Sequence, residues 1–135
     1  MPVELEGGDG RAVLIVEDSE NSAAMLEMAF LGIPGVTVMQ AASAMEALRI
    51  LNAAPPVQAV VTDLNMPRMD GFELISRIRG DQRLRATPII VVSADTDPDT
   101  PERVAALGAN AFFPKPFSPA QVRRALEQLL NGTKH

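Results

Sequence analysis

Chemically active side chains follow four of the apolar runs in this 135-residue chain. Three carboxylates, a hydroxyl and an ammonium group stand at the ends of the runs AVLIV, AVVT, IIVV and AFFP: Glu17, Asp18, Asp63, Ser93 and Lys115. Such runs are typical of buried strands, and the carboxyl ends of parallel strands form one ligand-binding edge of a sheet. We therefore expect the five side chains to converge on one site.

The three carboxylates predict a site for a hard divalent cation. Mg²⁺ prefers oxygen ligands, usually one or two carboxylates with water and phosphate oxygens completing the shell, and Mn²⁺ can substitute. Asp18 and Asp63 are suited to direct ligation, and Glu17 to a contact through water. The turn LNMPRMDG after Asp63 can aim the backbone carbonyl of Asn65 at the same cation.

The same set of residues predicts phosphoryl chemistry. A carboxylate forms an aspartyl phosphate when a metal neutralises charge on the transferring group, and Asp63 is the predicted nucleophile. The Ser93 hydroxyl can donate to one phosphoryl oxygen, and the Lys115 ammonium can act on another. A cis bond before Pro116 would turn the lysine inward. Alone, Ser93 would be a cap and Lys115 a surface charge; their joint position favours the chemical role.

Alternating strand and helix patterns supply the frame that positions these residues. Apolar runs predict strands near 12–16, 36–41, 59–63, 89–93 and 111–113. Helical patterns between them predict a parallel sheet covered on both faces. A capping residue precedes Glu or Gln by three positions in the pairs Ser43–Glu46, Asp70–Glu73 and Ser118–Gln121.

Composition bounds the domain organisation. A hydrophobic content of 47% fills one core. We predict a flexible leader over 1–10, a single domain over 11–131 and a polar tail over 132–135. The segment DTDPDTP is predicted to be a loop that starts the fourth helix at Pro98 or Pro101.

Composition also excludes several kinds of function. The chain has no cysteine, which removes disulfide and thiolate chemistry, and its net charge of −5 argues against direct binding of nucleic acid. Its apolar runs are too short to span a membrane, and we expect a cytoplasmic protein. The single histidine is His135, so any phosphohistidine must come from another protein.

The spacing of five short motifs resembles the response-regulator receiver domains of two-component signalling, those of chemotaxis regulators in particular. The resemblance covers about 11–131 and rests on VEDS, TDLNMPRMDG, VVSA, GA and KPF, at 16–19, 62–71, 91–94, 108–109 and 115–117. It implies a flavodoxin-like α/β fold, with a five-stranded parallel sheet in the order 2-1-3-4-5 and five helices. It also implies a signalling switch that catalyses only its own phosphorylation and dephosphorylation.

The resemblance implies a role for each matching residue. Asp63 would be phosphorylated by a sensor histidine kinase or a histidine phosphotransfer protein, with Glu17 and Asp18 as the acidic metal pair. Ser93 would be the switch hydroxyl and Lys115 the phosphoryl-binding lysine. The family's switch aromatic falls on a phenylalanine here, Phe112, which lacks the hydroxyl of a tyrosine and fits a role in the ordinary core nearly as well.

Two further positions are implied to tune the lifetime of the phosphoryl group. They are Asn65 and Asp95, which lie two residues after the phosphoacceptor and the switch hydroxyl, and their polar and acidic character suggests quick self-dephosphorylation. The implied output face consists of helix 4, strand 5 and helix 5. The protein would be a monomer or a phosphorylation-dependent dimer.

Several alternatives stay open at this stage. The chain can be a stand-alone regulator, a phosphorelay intermediate, or a receiver from a hybrid kinase or multidomain regulator. A phosphatase that forms an aspartyl phosphate, of the haloacid-dehalogenase type, would need a second aspartate where Asn65 stands. A nucleotide-binding fold would need a glycine-rich loop after the first strand. A role as a mere dimerisation scaffold leaves the acidic site unexplained.

Overall fold

Five β-strands alternate with five α-helices in the part of the chain that the computed structural model describes, residues 11–53 and 56–132. The strands are β1 (Arg11–Val16), β2 (Val36–Ala41), β3 (Ala59–Thr62), β4 (Ile89–Ser93) and β5 (Ala111–Pro114). The helices are α1 (Glu20–Phe30), α2 (Ala44–Ala53), α3 (Gly71–Gly80), α4 (Thr100–Leu107) and α5 (Pro119–Gly132). The predicted leader over 1–10 lies outside the described residues, as do residues 133–135 of the predicted tail.

The strands form one parallel sheet in the order β2-β1-β3-β4-β5, which confirms the predicted fold. The register places Val16 beside Thr62, and Ser93 beside Pro114. Because the strand ends are aligned, the residues that follow β1, β3, β4 and β5 leave the sheet at one side. We call this side the carboxyl edge, and the opposite side, where the strands begin, the amino edge.

Alternating side chains of the strands feed two separate hydrophobic clusters. In β1, Val13 and Ile15 are buried on the face covered by α1 and α5, where Leu26 and Leu126 pack against them. Leu14 and Val16 lie on the opposite face, in a cluster with side chains of α2, α3 and α4. Both faces of the sheet are therefore covered, which explains why the strands read as nearly continuous apolar runs.

The predicted capping pairs begin three of the helices. The backbone N–H of Glu46 donates to Ser43 Oγ at 3.1 Å, and the Glu46 carboxylate accepts from the N–H of Ala42 at 2.9 Å. Equivalent capping bonds join Glu73 to Asp70 at 2.9 Å and Gln121 to Ser118 at 3.2 Å.

The predicted start of the fourth helix was wrong by one or two residues. Helix α4 begins at Thr100, between Pro98 and Pro101. The N–H of Thr100 donates to the carbonyl of Asp97, which a proline at this position could not do. Pro101 then falls in the first turn, where its missing N–H has no intrahelical partner to lose.

Among the described residues, no helix combines the length and the apolar character needed to cross a membrane.

Candidate functional site

Three carboxylates meet at the carboxyl edge, and we call them the carboxylate cluster: Glu17, Asp18 and Asp63. One oxygen from each lies within 4.8 Å of the others. Glu17 and Asp63 are only 4% and 5% exposed, whereas Asp18 faces solvent. The cluster therefore has two buried members and one open side through which a ligand can approach.

Lys115 bridges the two buried carboxylates from the end of β5. Its Nζ donates to Glu17 Oε1 at 2.9 Å and to Asp63 Oδ2 at 3.4 Å. The second oxygen of Glu17 accepts the backbone N–H of Ser19 at 3.1 Å. The peptide bond between Lys115 and Pro116 is cis. Both oxygens of Glu17 are thus engaged by the protein, which suits it to a contact through water better than to direct ligation.

Burial and charge shift the pKa values of Glu17 and Lys115. Burial raises the pKa of Glu17, the hydrogen bond from Lys115 lowers it, and the negative charge of Asp63 raises it again, so that the net shift is upward. Burial alone would lower the pKa of Lys115, but its hydrogen bonds to Glu17 and Asp63 and their charges outweigh that effect and raise it. One ammonium faces three carboxylates, so the ionised cluster keeps an excess of negative charge.

This charge excess and the closeness of the oxygens fit a divalent cation. At about 4 Å and an effective dielectric of 20, each like-charge pair costs about 4 kcal/mol. A cation of charge two would offset the two negative charges that Lys115 leaves unbalanced. The donor set consists of hard oxygens, which Mg²⁺ prefers. The residues present therefore suit such an ion.

The loop after β3 fixes the orientation of Asp63. Its Oδ1 accepts the backbone N–H of Leu64 at 2.7 Å and that of Asn65 at 3.4 Å. Asn65 itself is exposed. With Oδ1 held by the backbone and Oδ2 directed at Lys115, the carboxylate of Asp63 has a single defined orientation.

Gly71 is a positioning residue that the sequence indicated only as part of a turn. Its N–H donates to the carbonyl of Leu64 at 2.9 Å, so the first residue of α3 abuts the end of β3. A Cβ at this position would collide with the carbonyl oxygen of Asp63 and lie 2.8 Å from the Cα of Leu64. Only glycine lets α3 begin this close to the phosphoacceptor candidate. The sequence signal was the glycine directly after the capping residue Asp70.

Ser93 lies beside Lys115 at the end of β4. Its carbonyl accepts the N–H of Lys115 at 2.8 Å, and its buried hydroxyl accepts the N–H of Asp95 at 3.0 Å. Asp95 is half-buried, and its Oδ1 accepts the N–H of Asp97 at 2.8 Å. In this structure both side chains therefore shape the loop after β4.

Phe112 is half-buried in β5 and packs against the cluster under α2, α3 and α4. It also lines a cavity of about 130 Å³ between α4 and β5, together with Val104 and Ala109. In this structure it therefore lies at the border of the core, next to a small cavity that is open to solvent.

Comparison with known proteins agrees with the fold. The sequence profile of the family described as "Response regulator receiver domain" matches residues 13–127. The chain belongs to this family. The prediction made from the five short motifs is thereby confirmed.

Similar sequences include both bacterial and plant receiver domains. The chain is 31% identical over 120 residues to the chemotaxis protein CheY1 of Helicobacter pylori, covering 87% of this chain and 95% of the relative. It is 30% identical over 128 residues to the two-component response regulator ORR11 of Oryza sativa, covering 95% and 86%. These shares span nearly the whole receiver domain.

Solved structures give the same result. A putative response regulator from Chloroflexus aurantiacus superposes with a TM-score of 0.82 at 31% identity, covering 90% of this chain and 98% of that one. The chemotaxis response regulator CheY4 of Vibrio cholerae superposes with a TM-score of 0.78 at 31% identity, covering 89% and 98%. As a receiver domain of two-component signalling, the chain is a phosphorylation-dependent switch. Receiver domains are phosphorylated by histidine kinases and act on downstream effectors.

Proposed function

We propose that Asp63 accepts a phosphoryl group from the phosphohistidine of a sensor histidine kinase or a histidine phosphotransfer protein. A carboxylate oxygen of Asp63 attacks phosphorus, and the P–N bond of the donor breaks with imidazole as the leaving group. Since Oδ1 already accepts two backbone hydrogen bonds, Oδ2 is the attacking atom. The observation that carries the proposal is a buried, oriented Asp63 within the carboxylate cluster and beside Lys115.

The cation in this proposal is Mg²⁺, with Mn²⁺ as a substitute. Asp18, Asp63 and the backbone carbonyl of Asn65 would hold it, with Glu17 in contact through water. When bound, the ion would neutralise charge on the phosphoryl oxygens. The close approach of the three carboxylates and their excess charge support this assignment.

Ser93 and Lys115 convert the new charge into a conformational change. The Lys115 ammonium donates to one phosphoryl oxygen, and the Ser93 hydroxyl donates to another. Moving an equilibrium from 1:99 to 99:1 takes about 5.5 kcal/mol, and a charge-assisted hydrogen bond contributes about 1.5 to 3 kcal/mol. Two such contacts reach the required range only when both form. Phe112, which lines the open cavity beside α4, would repack in response.

The phosphoryl group would be short-lived in this receiver domain. Asn65 is exposed at the carboxyl edge and Asp95 is half-buried in the loop after Ser93. The polar and acidic character of these two side chains supports this part of the proposal. Hydrolysis half-lives of Asn65→Ala and Asp95→Ala equal to that of the wild type would remove this part of the proposal.

The output face in this proposal consists of α4, β5 and α5, and a downstream effector reads it. The domain acts as a monomer or a phosphorylation-dependent dimer, and catalyses only its own phosphorylation and dephosphorylation. We place this exchange in the cytoplasm, which accords with the absence of cysteine. A phosphorelay intermediate, or a receiver within a hybrid kinase or multidomain regulator, would use the same site.

Intact-mass spectrometry after incubation with acetyl phosphate tests the proposal. The wild type should gain the mass of one phosphoryl group when Mg²⁺ is present, and it should show no gain when the metal is chelated. Asp63→Asn should show no gain under either condition, while Asp70→Asn, which keeps a capping side chain at the start of α3, should behave as the wild type. A phosphoryl group on Asp63→Asn would contradict the assignment of the nucleophile.

A further inference from the structure

Helix α4 is held tightly at its C-terminal end. Gly108 follows the helix in a left-handed conformation with a φ of 113°, and its N–H donates to the carbonyl of Ala105. The next N–H, of Ala109, donates to the carbonyl of Val104 at 2.9 Å. This pattern closes the last turn of the helix on itself.

Arg79 adds a second set of bonds to the same end from the last turn of α3. Its Nε and Nη2 donate to the carbonyl of Gly108 at 3.0 and 2.7 Å, and Nη2 also donates to Asn110 Oδ1 at 3.2 Å. Its Nη1 donates to the carbonyls of Arg85 and Thr87 at 2.9 and 2.7 Å. The guanidinium therefore makes five hydrogen bonds, as many as it has N–H groups.

Charge makes this placement of Arg79 favourable. The C-terminal end of a helix carries partial negative charge, and the last turn of α4 has no basic residue of its own. Arg79 supplies the missing cation from the neighbouring helix. The side chain lies so close to Gly108 that a Cβ there would lie 2.7 Å from its Nε. Arg79 and Gly108 form one interlocked contact.

The N-terminal end of α4 is held far more weakly. Asp99, which precedes the helix, makes no capping bond with its side chain. The hydroxyl of Thr100 is buried and has no hydrogen-bond partner among residues 11–53 and 56–132. Arg103 stacks on the ring of Phe72 in α3, with 4.1 Å between its guanidinium carbon and the ring centroid, but Arg103 is exposed. An exposed contact of this kind is weak.

A series of hydrogen bonds joins this weak end to Ser93. The hydroxyl of Ser93 accepts the N–H of Asp95, Asp95 Oδ1 accepts the N–H of Asp97, and Asp97 Oδ1 accepts the N–H of Asp99. The loop after β4 is thus a ladder of side-chain-to-backbone bonds that begins at the switch hydroxyl and ends where α4 begins.

We propose that Arg79 is the pivot of α4. It fixes the C-terminal end of the helix at Gly108, so that a displacement of the Ser93 hydroxyl moves the ladder and swings the N-terminal half of α4. This inference rests on the proposed function, because the phosphoryl group on Asp63 is what displaces Ser93. The surface offered to an effector then changes near Thr100 and Arg103 and stays constant near Gly108.

Amide hydrogen exchange followed by NMR tests the pivot, with and without beryllofluoride as a phosphoryl analogue in the presence of Mg²⁺. The variant is Arg79→Gln, and the control is Arg77→Gln, because Arg77 lies in the same turn and pairs with the exposed carboxylate of Glu73. Without the analogue, exchange at 107–110 should be about 10-fold faster or more in Arg79→Gln than in Arg77→Gln, the factor that corresponds to one charge-assisted hydrogen bond.

The analogue should then separate the two halves of the helix. In the wild type and in Arg77→Gln, the analogue should change the exchange rates at 94–104 at least 10-fold. The rates at 107–110 should stay within about 2-fold of their values without the analogue. In Arg79→Gln the change should extend to 107–110. Arg79→Lys keeps the charge without the planar fork of donors and should fall between the two, which secures the test if the glutamine variant unfolds.

Two results would overturn the pivot: equal exchange at 107–110 in Arg79→Gln and Arg77→Gln, or an analogue effect in the wild type that is as large at 107–110 as at 100–104. Failure of the proposed function looks different. In that case ¹⁹F NMR detects no bound beryllofluoride, while the exchange contrast between the two arginine variants without the analogue still decides whether Arg79 anchors the helix.

Discussion

The two edges of the sheet handle buried charge in opposite ways. At the carboxyl edge, one cation, Lys115, is shared by the carboxylates of Glu17 and Asp63, with Asp18 close by. At the amino edge, one cation, Arg79, is surrounded by backbone carbonyls and an amide oxygen, and each of its N–H groups has a partner. The first edge has an excess of negative charge, and the second has its hydrogen bonds satisfied.

This difference separates the part of the domain that responds from the part that stays fixed. A group of charges that the protein leaves unbalanced changes its free energy whenever a cation or a phosphoryl group binds. A guanidinium whose N–H groups are all hydrogen-bonded to uncharged oxygens has no such dependence. Ligands should therefore alter the stability of the domain through the carboxyl edge alone.

The largest expected effect comes from two glycines in α3, one near each edge. Gly71→Ala should lower the free energy of unfolding by about 3 kcal/mol, because the added methyl group meets the rigid backbone of Asp63 and Leu64. Gly80→Ala meets open space and should raise it by about 0.5 to 1 kcal/mol. Urea unfolding of both variants measures this, and equal stability of the two would show that the start of α3 can move away from Asp63.

The next effect contrasts the two cations. Lys115→Met should lower the free energy of unfolding by about 2 kcal/mol without Mg²⁺, because it leaves two buried carboxylates facing each other. Saturating Mg²⁺ should then raise the melting temperature more in this variant than in the wild type. Arg79→Gln should also be destabilised, but its response to Mg²⁺ should equal that of the wild type. An equal response to Mg²⁺ in both variants would break the contrast between the edges.

A smaller effect is expected at Ser93, where the carboxyl edge meets the loop to α4. Ser93→Ala removes the hydroxyl that accepts the N–H of Asp95, so its free energy of unfolding should be about 1 kcal/mol lower. The variant should still accept the phosphoryl group, but it should shift incompletely toward the active state. Ser43→Ala removes a comparable hydroxyl at the start of α2 and should activate fully. Amide chemical shifts in beryllofluoride report the shift, and full activation of Ser93→Ala would contradict the two-contact switch.

Much of the frame was predictable because burial and capping leave local signals. The run VTVMQA predicted β2 with its observed bounds, and the capping pair Ser118–Gln121 placed the start of α5 correctly. The start of α4 was missed because Pro98 and Pro101 both signal a helix start, whereas the helix begins between them at Thr100, whose N–H donates to the carbonyl of Asp97. Short-range signals therefore fix the elements to within a few residues.

The contacts at both edges depend on long-range packing that the sequence does not display. The sequence predicted that Lys115 contacts a phosphoryl group. It did not indicate the bond from Lys115 to Glu17, because those residues are 98 positions apart. Arg79 resembles the solvated arginines of any amphipathic helix, such as Arg77 two residues before it. Its bonds to Gly108 require α3 and α4 to be packed side by side. Residue types indicated which groups could do chemistry, and the fold decides which groups neutralise them.

The most direct test of this contrast is calorimetric melting with increasing Mg²⁺, since the chain has no tryptophan or tyrosine to serve as an optical probe. At free Mg²⁺ of about 100 times the dissociation constant, the wild type should gain about 2.7 kcal/mol and several degrees in melting temperature. Asp18→Asn should lose most of this gain, while Asp81→Asn, a half-buried acid paired with Arg83 toward the amino edge, should keep it. A wild-type melting temperature that does not change with millimolar Mg²⁺ would contradict the account.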